Sequence, residues 1–341
     1  MTWMAWRLQR SVFLFFVVLG LILIAYAIVS GLHIEALRHQ WLGQPCHGGN
    51  GFAPKYLSLC QTENRRYFIS LGAGTYVHWF AVLPTAVLGL LLGANVVAGE
   101  VDRHTARVAW TQSITRGRWF AAKVAVALGS LVVLAIPLGI TVAWFLRISK
   151  WTPRISTNGF TYGGWLPLAI GVFAFTLAAI VGTMLRRPGW TLATALIALA
   201  LVAWTMQNDV RAHLVPLHST TIERSLVTVT KGGVTVGKPS TGAPTNAWVL
   251  FNGYVPVDYG NTPPTSGQAT SWMYAVNRCP SDVVFPTQYM ACLKKLGLHN
   301  VEVYVADSEY WTLQLREGSL YLASAAVLLG ANLLLVRRTG V

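Results

Sequence analysis

The chain has 341 residues, of which 54% are hydrophobic and only 11% are charged, and its mean hydropathy is +0.49. Because a soluble domain carries about 25% charged residues, this composition excludes an ordinary water-soluble globule and predicts an integral membrane protein. The formal net charge is +14, but the basic residues flank apolar runs and no nucleic-acid motif is present. We therefore predict contacts with membrane lipids and no nucleic-acid partner.

Six segments lack Asp, Glu, Lys and Arg and are long enough to cross the hydrocarbon core, which takes about 20 apolar residues. In chain order they cover residues 11–34, 67–99, 124–146, 155–185, 188–208 and 318–336. We therefore predict six transmembrane helices. Charged side chains are absent from all six, and the only histidines, His33 and His78, lie near segment ends. This disfavours a proton-coupled pump.

The first segment also resembles a secretory signal peptide, because Arg7 and Arg10 precede it and residues 25–27 (Ala-Tyr-Ala) match a cleavage site. The apolar stretch continues beyond that point through Ile28 and Val29. This continuation favours a retained first helix over a cleaved leader.

Basic residues cluster in alternate connections between the six segments, and short connections rich in Lys and Arg remain in the cytoplasm. The clustered residues are Arg7, Arg10, Arg103, Arg107, Arg116, Arg118, Lys123, Arg186, Arg187, Arg337 and Arg338. The pattern predicts a multi-pass protein of the cell membrane with both termini in the cytoplasm. The short third connection, with Arg147, Lys150 and Arg154, opposes this orientation.

All four cysteines fall in the two connections that this orientation places outside the cell, where disulfides persist. We predict Cys46–Cys60 in an extracellular loop (residues 32–72) and Cys279–Cys292 in the fifth connection, each stabilising by roughly 3 kcal/mol. Four cysteines allow three connectivities. A zinc site that includes His47 is the alternative, but no CxxC spacing supports it.

Residues 207–316 are rich in Thr, Ser, Gly, Pro and Asn, unlike the rest of the chain. Residue types favour strands at 225–230, 234–236, 247–257 and 301–305, and a helix at 287–296. The predicted fold is an all-α polytopic membrane protein with six transmembrane helices and a small α+β extracellular domain between the fifth and sixth. The helices occupy residues 1–206 and 317–341, and the latter range ends in a cytoplasmic tail.

Motifs for catalysis, metals or cofactors are weak throughout. Residues 232–239 (GGVTVGKP) approach a phosphate-binding loop, but Pro239 replaces the Ser or Thr whose hydroxyl would bind magnesium. The eight histidines are dispersed without HExxH spacing, and no GxSxG motif occurs. We therefore predict that this chain is not an enzyme and that it holds no catalytic residue, metal or cofactor.

The most informative segment is residues 99–119, GEVDRHTARVAWTQSITRGRW, between the second and third spans. It is the longest segment on the predicted cytoplasmic side and holds the only acidic residues there, Glu100 and Asp102. Read as a helix it is amphipathic, with Val101 and Val108 on one face and Arg103 on another. An amphipathic helix in this place either lies among lipid headgroups or docks a cytoplasmic partner.

The stretch GEVDRHTARVAWTQSITRGRWFAAK (residues 99–123) resembles a conserved stretch of type-2 ABC transporter (ABC-2) permeases, chiefly of one bacterial branch. Residues 304–315 (YVADSEYWTLQL) are similar to that branch's aromatic-rich entry into its last helix. One departure is His104-Thr105, where the wider family commonly has Gly-Thr.

This resemblance implies a permease subunit without its own ATPase. Two such subunits, either two copies or a copy and a paralogue, pair in the membrane and dock on cytoplasmic ATPase subunits that bind ATP and Mg. The residues expected to make the docking contact, through a coupling helix at 99–119, are Glu100, Asp102, Arg103, Thr105, Arg107 and Thr111. Arg116, Arg118 and Lys123 are expected to anchor the third span at headgroups.

Polar and aromatic side chains inside the spans are candidates for the transport pathway, although helix packing in lipid uses the same residue types. They are Tyr26, Asn95, Thr141, Trp144, Thr176 and Asn332. Spans this apolar favour an amphipathic drug, lipid or peptide as the substrate over a sugar or ion, and the resemblance implies that the transport is efflux. Two alternatives remain, a membrane sensor or scaffold whose extracellular domain detects a ligand, and a membrane-embedded enzyme.

Overall fold

The protein is described by a computed structural model that divides into two compact units. The membrane unit comprises Met1–Thr152, Asn158–Arg211 and Leu313–Val341, and the sheet unit comprises Pro153–Thr157 and Ala212–Thr312. The described residues are 2–42, 76–77, 79–96, 116–149, 154–155, 157–221, 228–230, 233–235, 242–244, 246–260, 262–280 and 286–338.

Long apolar helices form the membrane unit, and six helices among the described residues are long and apolar enough to cross a membrane, as predicted. The helices of this unit are α1 (Thr2–Leu42), α2 (Trp79–Val96), α3 (Arg116–Ser149), α4 (Thr157–Tyr162), α5 (Leu166–Leu185), α6 (Pro188–Thr205) and α9 (Tyr310–Arg338). One π-helical turn (Met206–Val210) and one 3-10 turn (Arg211–His213) prolong α6.

The predicted fourth span, residues 155–185, is divided into two helices. A break at residues 163–165 separates the short α4 from α5. Gly164 has φ +65°, a conformation that interrupts a right-handed helix and that glycine adopts without strain. Pro167 then lies in the first turn of α5, where its missing N–H leaves no helical hydrogen bond unmade. The prediction ran through the break because it defined spans by the absence of charge, and residues 156–164 (STNGFTYGG) are uncharged although most of them are not apolar.

Helices α2 and α5 cross with their backbones in direct contact. Gly89 and Gly93 of α2 form a small-xxx-small pair, and Cβ atoms added there would collide with the carbonyl oxygens of Gly171 and Phe175 in α5. Thr85 of α2, fully buried, lies with its hydroxyl 3.3 Å from the carbonyl oxygen of Pro167. Helices in lipid associate through this kind of close approach, because hydrocarbon supplies no hydrophobic drive between them.

Apolar side chains fill the membrane unit in two clusters, one toward each end. The larger cluster joins the first part of α1 and α3 and the middle of α5 to the last part of α2 and α9, with Phe16, Leu92, Phe120, Phe175 and Val336 among its members. We call this the basic end, because the neighbouring helix termini carry Arg118, Arg186, Arg187, Arg337 and Arg338. The smaller cluster, at the opposite end, includes Ile34, Val77, Phe145 and Tyr162.

The sheet unit contains a three-stranded antiparallel sheet in the order β1-β5-β4 and a separate hairpin of β2 and β3. Its elements are β1 (His218–Thr221), β2 (Thr228–Thr230), β3 (Gly233–Thr235), β4 (Trp248–Pro256), α7 (Ser266–Val276), α8 (Pro286–Leu296) and β5 (Leu298–Val305). The predicted elements at 225–230, 234–236, 247–257, 287–296 and 301–305 correspond to β2, β3, β4, α8 and β5. Sequence analysis missed β1 and α7.

Two polar contacts and one disulfide organise the sheet unit. The buried Glu302 carboxylate of β5 accepts hydrogen bonds from Ala243 N (3.0 Å) and Asn252 Nδ2 (2.7 Å). The predicted disulfide Cys279–Cys292 is confirmed and joins the end of α7 to α8. The other predicted pair, Cys46–Cys60, lies outside the described residues.

Arg154 of the sheet unit forms a bidentate ion pair with Asp307, with Nε–Oδ1 at 2.7 Å and Nη2–Oδ2 at 2.8 Å. Its guanidinium also lies 4.9 Å from the ring centroid of Tyr310. The hydrogen bond to Asp307 raises the pKa of Arg154 above its ordinary value. Because Arg154 is 52% exposed, water screens this pair and its contribution to stability is modest.

Replacing Gly93 tests the contact between α2 and α5. We expect Gly93→Ala to destabilise the membrane unit by about 1 to 3 kcal/mol, because the new methyl group must push α2 away from Phe175. The measurement is the thermal unfolding midpoint of the protein in detergent. Gly129→Ala on α3 is the matched control, since an added Cβ there has no neighbour within 4 Å. Equal midpoints for the two variants would contradict the proposed packing.

Candidate functional site

The residues predicted to contact an ATPase lie outside the described residues. They are Glu100, Asp102, Arg103, Thr105, Arg107 and Thr111. The structure describes the two helices that bracket them, since α2 ends at Val96 and α3 begins at Arg116. The last four residues of the predicted coupling helix, 116–119, therefore belong to α3. We refer to residues 97–115 as the coupling segment.

Lys123 ties these two bracketing helices together. Its side chain is only 5% exposed, and its Nζ donates a hydrogen bond to the carbonyl oxygen of Val96 (3.2 Å). The ammonium also lies 4.4 Å from the ring centroid of Trp119, one turn earlier in α3. The predicted role of Lys123 as a headgroup anchor is therefore wrong. Arg118, in contrast, is exposed, as a headgroup anchor requires.

A buried ion pair lies at the opposite end of the membrane unit. Arg211, in the 3-10 turn after α6, pairs with Glu317 of α9 through Nε–Oε2 at 2.8 Å and Nη2–Oε1 at 2.9 Å. The two side chains are 2% and 1% exposed. Nη2 also donates to the hydroxyl of Thr161 in α4 (2.8 Å), and the guanidinium lies 4.8 Å from the Phe160 ring centroid. Both charges are thus paired and hydrogen-bonded, which burial requires.

A second contact between α4 and α9 lies beside this pair. The amide nitrogen of Gln314, on a fully buried side chain, donates to the carbonyl oxygens of Phe160 (2.9 Å) and Gly163 (3.3 Å) at the end of α4. The end of α6, the short α4 and the start of α9 therefore form one polar junction.

Sequence analysis missed this junction because it defined each span by the absence of charge. The predicted fifth span ended at residue 208 and the predicted sixth began at residue 318, which left Arg211 and Glu317 just outside as ordinary flanking charges. The sequence did contain a signal for the junction, because a basic residue follows the fifth predicted span and an acidic residue precedes the sixth. Such residues in or beside membrane spans are often paired and functional.

Near the basic end, Asn332 of α9 contacts Thr183 of α5. The Thr183 hydroxyl lies 2.6 Å from Asn332 Oδ1 and 2.7 Å from the carbonyl oxygen of Ala179, and both side chains are buried. Asn332 was predicted to line a transport pathway, and the structure places it in a helix-to-helix contact.

The other pathway candidates occupy separate places in the membrane unit. Tyr26 is 45% exposed and lies 5.8 Å from Phe80 between ring centroids. Trp144 packs against the smaller apolar cluster. Thr141 and Asn95 hydrogen-bond to carbonyl oxygens one turn earlier in their own helices, and Thr176 to that of Phe173, three residues earlier. The structure therefore does not bring these side chains together into one polar site.

Two apolar grooves open on the surface of the membrane unit. The first, of about 550 Å³, lies between α1 and α2, and Tyr26 is beside it through its contact with Phe80. Its lining residues are Leu19, Leu23, Tyr76, Trp79, Phe80, Leu83 and Pro84. The second, of about 460 Å³, lies between α5 and α9. Its lining residues are Phe173, Leu177, Ala323, Ser324, Val327 and Leu328.

Within the described part of the chain, no group of His, Cys, Asp or Glu side chains could hold a metal ion.

Six apolar helices, several of them joined by polar contacts near their ends, define a polytopic membrane protein. The family model described as "ABC-2 membrane transporter related" matches residues 11–211, which is more than half of the chain. The chain belongs to this family, and the match supports the ABC-2 type permease that the resemblance implied. The matched region extends from α1 to Arg211. No curated protein and no solved structure matches the chain.

Breaking the Arg211–Glu317 pair tests whether the polar junction holds the membrane unit together. We expect Arg211→Met to destabilise the protein by about 3 to 5 kcal/mol, because it leaves the Glu317 carboxylate buried without its partner. The double variant Arg211→Met with Glu317→Leu should recover most of this loss, since no charge remains buried. Thermal unfolding in detergent measures both.

The exposed pair Arg154–Asp307 is the matched control for this experiment. Arg154→Met should change stability by about 1 kcal/mol or less, because water solvates Asp307 when its partner is removed. A loss for Arg211→Met as small as that for Arg154→Met would show that the junction does not depend on its buried charges.

Proposed function

We propose that this chain is the permease subunit of an ATP-driven ABC exporter and that a separate cytoplasmic subunit hydrolyses ATP. The observation that carries the proposal is the family match over residues 11–211, which includes the coupling segment and both helices that bracket it. ATP and Mg bind the partner ATPase, and a second permease copy or a paralogue completes the transporter.

The proposed docking contact is the coupling segment. Its charged and polar residues Glu100, Asp102, Arg103, Thr105, Arg107 and Thr111 contact the ATPase. Closure of the ATPase dimer on ATP pushes this segment, and the spans then move between inward-open and outward-open arrangements. The permease is thus an element with two states whose equilibrium nucleotide shifts.

The proposed orientation places both termini and the basic end in the cytoplasm, with the sheet unit outside the cell membrane. The exposed arginines at the basic end support it, because Lys and Arg concentrate on the cytoplasmic side of short connections. The disulfide Cys279–Cys292 supports it independently, because such bonds persist in oxidising compartments.

The proposed substrate is amphipathic, such as a drug, a lipid or a peptide with an apolar part. Both grooves of the membrane unit have walls of aliphatic and aromatic side chains, and the polar side-chain groups in the two linings are the Ser324 hydroxyl, the Tyr76 phenol and the Trp79 indole N–H. Walls of this kind accept hydrocarbon and offer few hydrogen bonds to a sugar or ion.

A charge reversal in the coupling segment tests the docking proposal. We expect Asp102→Arg with Arg103→Asp to abolish co-purification of an ATP-hydrolysing subunit in mild detergent, because reversed charges repel the complementary groups of the partner. The control Asp258→Lys with Lys294→Glu reverses two exposed charges of the sheet unit and should leave co-purification unchanged.

Labelling of a single cysteine introduced at position 105 checks the same segment without the partner. A membrane-impermeant maleimide should leave it unmodified on intact cells and modify it after permeabilisation. Modification on intact cells would refute the orientation. If the wild-type protein retains no ATPase, the permease proposal fails and the sensor or scaffold alternative gains support.

The substrate proposal is tested by ATP hydrolysis of the reconstituted complex. We expect a lipopeptide to stimulate hydrolysis more than polar solutes such as sugars do. Phe80→Ala should raise the lipopeptide concentration for half-maximal stimulation by about tenfold, because an aromatic wall of the groove is lost. Leu196→Ala, on an exposed face of α6 outside both grooves, is the control. Stronger stimulation by the polar solutes would refute an amphipathic substrate.

A further inference from the structure

We infer that the groove between α1 and α2 binds lipophilic cations, with the positive charge among its aromatic rings and the apolar part against its leucines. The inference deepens the proposed function and rests on it, because it assigns a charge to the amphipathic substrate. Three features of the wall carry it, namely a gradient of side-chain types along the groove, a proline inside α2 and a lining without charged side chains.

The two ends of the groove differ in chemistry. Aromatic rings line the end nearer the start of α2, and aliphatic side chains line the end nearer the basic end of the membrane unit. The rings are those of Tyr76, Trp79 and Phe80, and the aliphatic side chains are those of Leu19, Leu23 and Leu83. Tyr76 is 68% exposed and Trp79 is 41% exposed, so both rings are accessible to a ligand. A molecule lying along the groove therefore contacts rings at one end and leucines at the other.

The aromatic end of the groove favours positive over negative charge. The face of an aromatic ring carries negative electrostatic potential, so it attracts a cation placed within about 6 Å of its centroid. This attraction is stronger where water is displaced, as in a groove that opens toward lipid. The same ring faces repel an anion. A positive head therefore gains from this end of the groove, whereas a negative head does not.

Pro84, which lies inside α2, adds a negative dipole to the same wall. Proline has no N–H, so the carbonyl oxygen of Phe80, four residues earlier, does not receive the usual helical hydrogen bond. The hydroxyl of the next residue, Thr85, is directed to the carbonyl oxygens of Ala81 (2.6 Å) and Val82 (3.0 Å) instead. Because Phe80 and Pro84 both line the groove, the Phe80 carbonyl group belongs to the helix face that borders it. A cation in the groove compensates for the missing donor.

The described residues that line this groove include no charged side chain. A bound cation is therefore held by ring faces and a carbonyl dipole, and not by a carboxylate. Such a site binds without forming an ion pair, so the ligand can also leave, as transport requires. The exposed arginines that define the basic end lie beyond the leucine end of the groove, away from the place of the positive head.

The test uses the full chain in nanodiscs of phosphatidylcholine, without an ATPase. The probes are tetraphenylphosphonium and tetraphenylborate, two ions of nearly the same size and shape but of opposite charge. Equilibrium dialysis measures binding of each ion, and binding to empty nanodiscs is subtracted. We expect saturable binding of tetraphenylphosphonium with an affinity about tenfold higher than that of tetraphenylborate.

Variants of the wall connect this binding to the groove. Tyr76→Leu combined with Phe80→Leu keeps an apolar wall and removes two rings, and should weaken tetraphenylphosphonium binding by about tenfold while leaving tetraphenylborate unchanged. Pro84→Ala supplies the missing N–H to the Phe80 carbonyl and should weaken binding of the cation by about threefold. Phe15→Leu is the matched control, because it removes a 63% exposed ring of α1 outside both groove linings and should have no effect.

Equal affinities for the two ions would overturn the inference, because a merely apolar groove binds both alike. Wild-type binding by the double variant would also overturn it, because rings that only anchor α2 at the membrane interface do not contribute to affinity. If the double variant does not fold, Tyr76→Leu alone changes an exposed position and should weaken cation binding by about threefold. An unchanged affinity in that variant would be equally decisive against the site.

The proposed function fails separately from this inference. Charge-selective binding by a chain that retains no ATPase would support the cation site and refute the permease proposal. A complex that retains its ATPase and responds to a lipopeptide, but does not bind tetraphenylphosphonium, would refute the cation site alone. With the ATPase present, we expect tetraphenylphosphonium to stimulate ATP hydrolysis at the concentrations that fill the site. Binding without stimulation would overturn the assignment of lipophilic cations as the substrate class.

Discussion

The close backbone contact of α2 and α5 is the constraint on which the rest of the membrane unit depends. Hydrocarbon does not drive apolar helices together as water does, so their association requires tight packing of small residues and a few hydrogen bonds. Gly89 and Gly93 provide that packing against Gly171 and Phe175. The spans α2 and α5 are accordingly the most buried. In an apolar 18-residue stretch of each, 61% of the residues are buried, against 17% in that of α1. The remaining spans are arranged around this pair.

In the described part of the membrane unit, the buried charged groups lie near the ends of the spans, and there each one links two or more helices. Lys123 joins α3 to α2, and the Arg211–Glu317 pair joins the extension of α6 to α9 and α4. Near the end of a span the alternative to an internal partner is water or a headgroup, so such a link costs less than it would at mid-depth. In the proposed permease, we expect helices linked in this way to move as groups. The proposed alternation between two states requires such group motion, and the individual helices do not need to bend.

The sequence was sufficient to predict the spans, because a run of about 20 uncharged apolar residues indicates a transmembrane helix. It also predicted Cys279–Cys292, because the orientation placed both residues in one connection. It failed where a boundary depended on a partner distant in sequence. Lys123 has the flanking position of a headgroup anchor, and only the proximity of Val96 shows its actual role. α7 was missed because a Gly- and Pro-rich stretch precedes it, although Thr265 and Gln268 form a capping box that the sequence displays.

The distribution of these links determines how a force from an ATPase can act in the proposed permease. The coupling segment follows α2 and precedes α3 in the chain, and α2 packs against α5, so in the proposed mechanism these helices receive the motion first. α1 and α6 have largely exposed faces, with Phe15, Leu21, Trp190 and Leu201 all more than half exposed. The spans α1, α6 and α9 therefore offer the most exposed apolar faces to a second copy or a substrate of the proposed permease, because α2 and α5 are mostly covered. The groove between α1 and α2 lies where the moved helices meet the exposed ones, and a change in their separation alters its width directly.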